Sequence, residues 1–126
     1  MLPGLMQTTP LQISSILRYA AAAHARRPIV SQPIDEPLWR YDVARFAGRC
    51  GQAANALKAL GVQPGDRVSS LAWNNHRHLE LFYAVTGYGA VLHTANPRLF
   101  DEQLIYTIER AESVVLFFDR NLLEVV

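Results

Sequence analysis

Residues 64–118 read PGDRVSSLAWNNHRHLELFYAVTGYGAVLHTANPRLFDEQLIYTIERAESVVLFF, and a strand pattern occurs three times within them. Pro64-Gly65-Asp66 is a turn signal ahead of an apolar strand from Val68 to Trp73. Asn74-Asn75 suits the cap of a helix from about His76 to Thr86, closed by Gly87 and Gly89. Ala90 to Thr94 forms the second strand, broken by Asn96-Pro97. Asp101-Glu102 place negative charge at the positive end of a further helix, with Leu104, Ile105, Ile108 and Ala111 as its buried face. Ser113 leads into Val114 to Phe118, a continuous apolar run suited to a buried strand. The strands start at Val68, Ala90 and Val114, 22 and 24 residues apart, which is room for one strand, one helix and two short turns. Crossovers of this kind join parallel strands and are right-handed in nearly all cases. The expected fold is therefore α/β, with strand-helix units forming a parallel, flavodoxin-like layer.

Upstream of this layer the pattern changes. Residues 1–8 read as an irregular lead-in, and Thr9-Pro10-Leu11-Gln12 has the form of a capping box with proline at the first helical position. Ile13, Ile16, Leu17 and Ala20 then make one helical face, and Arg26-Arg27-Pro28 ends that helix. Ile29-Val30-Ser31 and Trp39-Arg40-Tyr41 read as two short strands joined by a surface link holding Pro33, Asp35, Glu36 and Pro37. Asp42 is a good cap for the next helix. Its apolar face is Val43, Phe46, Ala47, Cys50, Ala53, Ala54, Leu57 and Leu60, and Gly61 ends it in the left-handed conformation.

Composition narrows the classes of function. In 126 residues, half are apolar and 18% are charged, which is enough for a buried core. Twelve basic residues against eleven acidic ones give a net charge of +1 with no basic stripe, so nothing points to nucleic acid. The single cysteine, Cys50, lies on a helical apolar stripe, favouring a structural thiol and a reducing compartment. The amino terminus lacks the charge-then-apolar order of a signal peptide, and no apolar run is long enough to span a bilayer. A cytoplasmic protein is expected.

The chemistry-bearing residues form no complete constellation. His76 and His78 are two apart, so a helix points them away from each other, and His24 and His93 have no spaced ligand partners. No metal site is expected. Gly87-Tyr88-Gly89 closes a helix where a dinucleotide loop must open one. There is no phosphate loop and no nucleophile elbow. Ligands in open α/β sheets bind outside the carboxyl ends of the strands. Trp73, Asn74 and His76 lie there after one strand, and His93, Asn96 and Arg98 after the next. These six are the candidate cofactor-binding residues. Capping by the asparagines, packing of the rings and pairing of Arg98 with a nearby acid is the alternative.

Two runs carry a resemblance. One is Leu71-Ala72-Trp73-Asn74-Asn75-His76-Arg77-His78-Leu79-Glu80, and the other is Gly89-Ala90-Val91-Leu92-His93-Thr94-Ala95-Asn96-Pro97-Arg98-Leu99. Together they resemble the amino-terminal region of fatty-acyl-CoA ligases, members of the adenylate-forming superfamily. Gly61-Val62-Gln63-Pro64-Gly65-Asp66-Arg67-Val68, Trp39-Arg40-Tyr41 and Val115-Leu116-Phe117-Phe118-Asp119 add to the likeness. So does the opening Leu2-Pro3-Gly4-Leu5-Met6-Gln7, which is similar to the medium- and long-chain branch. Asp42 and Ala95 depart from the family's usual Thr or Ser and larger apolar residue.

The resemblance implies an enzyme that joins a fatty acid to ATP, with magnesium, to give an acyl-adenylate. Coenzyme A then displaces AMP to form the thioester. It also implies a phosphate loop, a ribose-binding acid, a magnesium carboxylate and a mobile carboxyl-terminal lysine, none recognisable in residues 1–126. The chain is thus expected to be a partial amino-terminal domain that binds no cofactor and catalyses nothing alone. Apolar surface left bare on such a piece favours self-association. The alternative is a free-standing, non-catalytic relative serving as an interaction or dimerisation module.

Overall fold

The computed structural model describes Gly4 and residues 8–125. The lead-in and the family-like opening therefore lie, but for Gly4 and Thr8, outside the described residues. Helix α1 spans Ile13–Ala23, strands β1 Pro28–Ser31 and β2 Trp39–Asp42 pair as an antiparallel hairpin, and α2 covers Val43–Ala59. There follow β3 Arg67–Leu71, α3 His76–Tyr88, β4 Val91–Ala95, α4 Asp101–Ala111, β5 Val115–Phe118 and a short 3₁₀ helix, Arg120–Val125.

Strands β4, β3 and β5 form one parallel sheet in that spatial order. Numbered along the chain the order is 2-1-3, the opening of a flavodoxin-like sheet. Alternation along the strands sorts side chains to two faces. Val68, Leu92, Val115 and Phe117 pack against α2 and α3, around Leu57 and Val85. Leu71, Ala95 and Leu116 pack on the other face against Leu104 and Ile108 of α4 and Leu122 of the 3₁₀ helix. A third cluster of Tyr41, Phe46 and Cys50 joins the hairpin to α2.

The expected caps are in place. Asp42 accepts from the Arg45 N–H at 2.8 Å, and Asn75 from the His78 N–H at 3.0 Å. Gly61 and Gly89 have φ of +84° and +93°, the left-handed geometry that ends α2 and α3. Gly87 instead lies within α3, facing Ser14 of α1.

Five expectations are corrected. The capping box does not form: Gln12, extended, is the cap residue of α1 and makes no side-chain cap bond. Pro10 and Leu11 stay outside the helix, whose first turn is closed by the Ser15 hydroxyl donating to the Gln12 carbonyl at 2.6 Å. α1 also stops at Ala23, where the His24 N–H bonds the Ala20 carbonyl, before Pro28 acts. Its apolar face is not buried, because only Leu17 reaches the third cluster while Ile13 and Ile16 are exposed. On α4, Leu104 is buried but Ile105 is exposed, since the helix rotates Leu104 and Ile108 onto the sheet. Finally β5 is half-exposed, because it is an edge strand with one neighbour.

Candidate functional site

The 2-1-3 order places the topological switch point between the carboxyl ends of β3 and β5, where open α/β sheets hold ligands. Asp119, directly after β5, joins the two ends. Its N–H continues the ladder to the Leu71 carbonyl at 3.1 Å. One oxygen of its carboxylate, Oδ2, accepts the Trp73 N–H at 2.9 Å and the Asn75 Nδ2 at 3.0 Å. Asn75 thus caps α3 with one end of its amide and holds Asp119 with the other.

A cleft of about 550 Å³ opens between this seam and the hairpin link, lined by Trp73, Asn75, Arg77, Asp119, Arg120 and Glu36 among others. The link is fastened over the cleft at two points: Arg77 to Glu36 at 2.7 Å, and Asn121 Nδ2 donating to Asp35 at 3.0 Å. The Arg77 guanidinium holds the Glu36 carboxyl below the usual carboxylate range. The site therefore presents an indole edge, two guanidinium groups and three carboxylates at the mouth of the sheet.

Behind it a narrower cleft of about 390 Å³ runs between β1 and α3. His76 is buried there, its N–H bonded to the Ser31 hydroxyl at 2.9 Å and its ring stacked on Trp39 with centroids 4.8 Å apart. His78 Nε2 lies 3.1 Å from the Ser70 hydroxyl. Burial pushes the pKa of both imidazoles down, with the Arg77 charge adding to the effect on His76. Burial thus favours the neutral form of both rings. Beneath them Glu80 is buried and paired with Arg49 at 2.6 Å. Burial, with the Glu80 charge second, pushes the Cys50 thiol up to about 12, so Cys50 is a packing residue.

The six residues singled out from sequence separate into two groups. Trp73 lines the larger cleft, and Asn74 and His76 line the smaller one. His93 does not follow β4 but lies within it, opposite Ser69, with Nδ1 2.8 Å from the Ser69 hydroxyl. Ser69 in turn bonds Ser113, so the three make a polar tie across the sheet. Asn96 accepts the Arg98 N–H at 3.0 Å in an exposed turn, and Arg98 forms no ion pair among the described residues. Asn75, Arg77, Asp119, Arg120 and Glu36 are among the cleft residues that sequence reasoning did not select. The position of Asp119 immediately after an apolar strand was the available signal. Among the described residues no group of three or more His, Cys, Asp or Glu is placed to hold a metal, and no helix is long and apolar enough to cross a membrane.

A family model described as "AMP-binding enzyme" matches residues 17–126. The chain is 48% identical over 123 residues to a 3-methylmercaptopropionyl-CoA ligase of Ruegeria lacuscaerulensis, covering 98% of this chain and 23% of that protein. It is 43% identical to a long-chain-fatty-acid–CoA ligase of Thermus thermophilus, again over 98% of this chain and 23% of the relative. In structure it matches a Mycobacterium tuberculosis fatty acyl CoA synthetase with a TM-score of 0.78 and 26% identity, over 90% of this chain and 22% of that one. The chain thus spans under a quarter of the length of these relatives, and the region it matches is the amino-terminal part of acyl-CoA ligases.

Proposed function

We infer the function from one premise: the chain belongs to the AMP-binding enzyme family. We propose that it is the amino-terminal scaffold of a ligase that activates an aliphatic carboxylic acid with ATP and magnesium and transfers it to coenzyme A. The observation that carries this reading is the match along almost the whole chain to curated acyl-CoA ligases, together with a sheet in 2-1-3 order. The names of the relatives favour a fatty acid or a short sulfur-bearing analogue as the acid. We place the enzyme in the cytoplasm, in keeping with its one buried, unpaired cysteine.

In this reading the layer's own residues position rather than react. Asp119 and Asn75 lock the carboxyl ends of β3 and β5 together, and Arg77 and Glu36 hold the hairpin link over them. Trp73, Asn74 and His76 on one side, and Asn96 and Arg98 on the other, frame the end of the sheet that would face ligand in the whole enzyme. His93 contributes through the Ser69 tie that fixes β4 against β3.

The chain alone holds no triphosphate in this account and self-associates through apolar surface that its own elements leave uncovered. Calorimetry with ATP and with coenzyme A tests the first point. No site tighter than about a millimolar dissociation constant, ~4 kcal/mol of binding, is expected. A micromolar site for either would overturn the scaffold reading.

A further inference from the structure

One titratable residue, His76, joins α3 to both strands of the hairpin. Its backbone N–H donates to the Ser31 hydroxyl of β1 at 2.9 Å. Its ring stacks on Trp39 of β2, with centroids 4.8 Å apart and an interplanar angle of 8°, and meets the Tyr41 ring edge-on at 6.2 Å. His76 is 2% exposed and Tyr41 7%, so the residues of this chain bury the joint by themselves.

The charges that face His76 offer nothing to an imidazolium. From α2, Arg45 and Arg49 stand over the same Trp39 ring, each guanidinium carbon 5.8 Å from its centre. On α3, Arg77 is the next residue. The two nearby acids are already paired, Glu80 with Arg49 at 2.6 Å and Glu36 of the link with Arg77 at 2.7 Å. Ser31, Trp39 and Tyr41 on the hairpin bring no charge. Nδ1 of His76 is buried and has no hydrogen-bond partner among the described residues. A neutral ring can leave that nitrogen as a bare acceptor, whereas a protonated ring must carry a charged N–H there with no acceptor for it. Burial, then the Arg77 charge, push the pKa of His76 down, and Glu80 and Glu36 pull the other way without reversing it.

We propose that His76 is an acid-sensitive latch: neutral, it holds the hairpin to α3; protonated, it releases the hairpin and the link bearing Asp35 and Glu36 while the parallel sheet stays folded. The inference goes beyond the ligase reading and does not depend on it. Only exposed ties, Glu36 to Arg77 and Asp35 to Asn121, otherwise fasten the link, and exposed pairs hold weakly. The two clusters on the faces of the sheet have no titratable side chain among their buried members, so acid has less to act on there. His78 turns instead to Ser70 of β3 and makes the natural control.

The test is hydrogen exchange with peptide resolution on the full chain, from about pH 7.5 to about pH 5, corrected for the intrinsic pH dependence of exchange. Protection across residues 28–42 is expected to fall about tenfold or more as pH drops, with β3 losing much less. In His76→Phe, which keeps an aromatic ring against Trp39 but cannot titrate, the hairpin is expected to stay protected. In His78→Gln it is expected to respond as in wild type. Circular dichroism checks that each variant folds. NMR titration of the His76 ring in the wild-type chain gives a second check without any variant, since its apparent pKa must match the midpoint at which hairpin protection is lost. Equal loss in hairpin and sheet would overturn the proposal, because acid would then unfold the chain as a whole. A hairpin equally protected throughout, a response that persists in His76→Phe or vanishes in His78→Gln, or a mismatch between ring titration and hairpin loss would each overturn it too.

Discussion

Leu71 and Phe118 are partners across the β3–β5 ladder, yet the leucine is fully buried and the phenylalanine is 39% exposed. The contrast extends along both strands. β3 carries two serines and is buried from Val68 to Leu71, whereas β5 is wholly apolar and half-open. Serine is tolerated in β3 because each hydroxyl has a partner, Ser69 with His93 and Ser113, Ser70 with His78. β5 is more apolar than its surroundings in this chain require. Composition reports the environment a strand is built for, and position in the sheet decides what it receives.

The largest expected effect comes from the closed side of this contrast. Leu71→Ala should cost about 2–5 kcal/mol, because it empties a site on the α4 face that nothing else fills. Urea denaturation measures it, and a cost near that of an exposed site would remove the distinction between the two strands. Next is Asp119→Ala, which strips a shared acceptor from the Trp73 N–H and the Asn75 amide. We expect about 1–3 kcal/mol, with amide exchange quickened at Trp73. Phe118→Ala should cost less than either, about 1 kcal/mol, while lowering the binding of dyes that report exposed apolar surface.

Acid supplies a subtler separation. The folded-state pKa values of His76 and His78 lie below 6.5, so near and below that pH the unfolded chain binds protons that the folded chain refuses. Their contribution to stability is complete above about pH 6.5 and falls as pH drops through the window beneath it. Denaturation midpoints between about pH 7.5 and 5.5 should decline accordingly. His76→Phe, which keeps an aromatic ring against Trp39, should flatten part of the decline. An unchanged slope in that variant would mean that His76 is not held neutral by its burial.

Much of the fold was legible because it is written in local rules. The caps at Asp42 and Asn75, the left-handed Gly61 and Gly89, and the spacing of the three strands each follow from a few neighbouring residues. Strand order was legible only as a class, since 2-1-3 depends on which side each crossover takes. The candidate site was less so. Trp73, Asn74 and His76 were selected by their place after β3, but Asp119 is 46 residues from Trp73, and no local pattern shows that their groups meet. His93 was grouped with the residues after the strand although it falls inside the strand, whose observed span is Val91–Ala95 and where it stands opposite Ser69. Capping failed at Thr9-Pro10 because α1 gains little by burial, leaving nothing to anchor its first turn.

We propose that this chain is a ligase's amino-terminal scaffold, with edge strands open to further pairing on either side of β3 and chemistry completed elsewhere. The most direct test is ATP-dependent pyrophosphate release by the purified chain, with magnesium and a series of aliphatic acids from short to long. Background release is expected with every acid, unchanged by coenzyme A. Reproducible release that requires both ATP and one class of acid would contradict it.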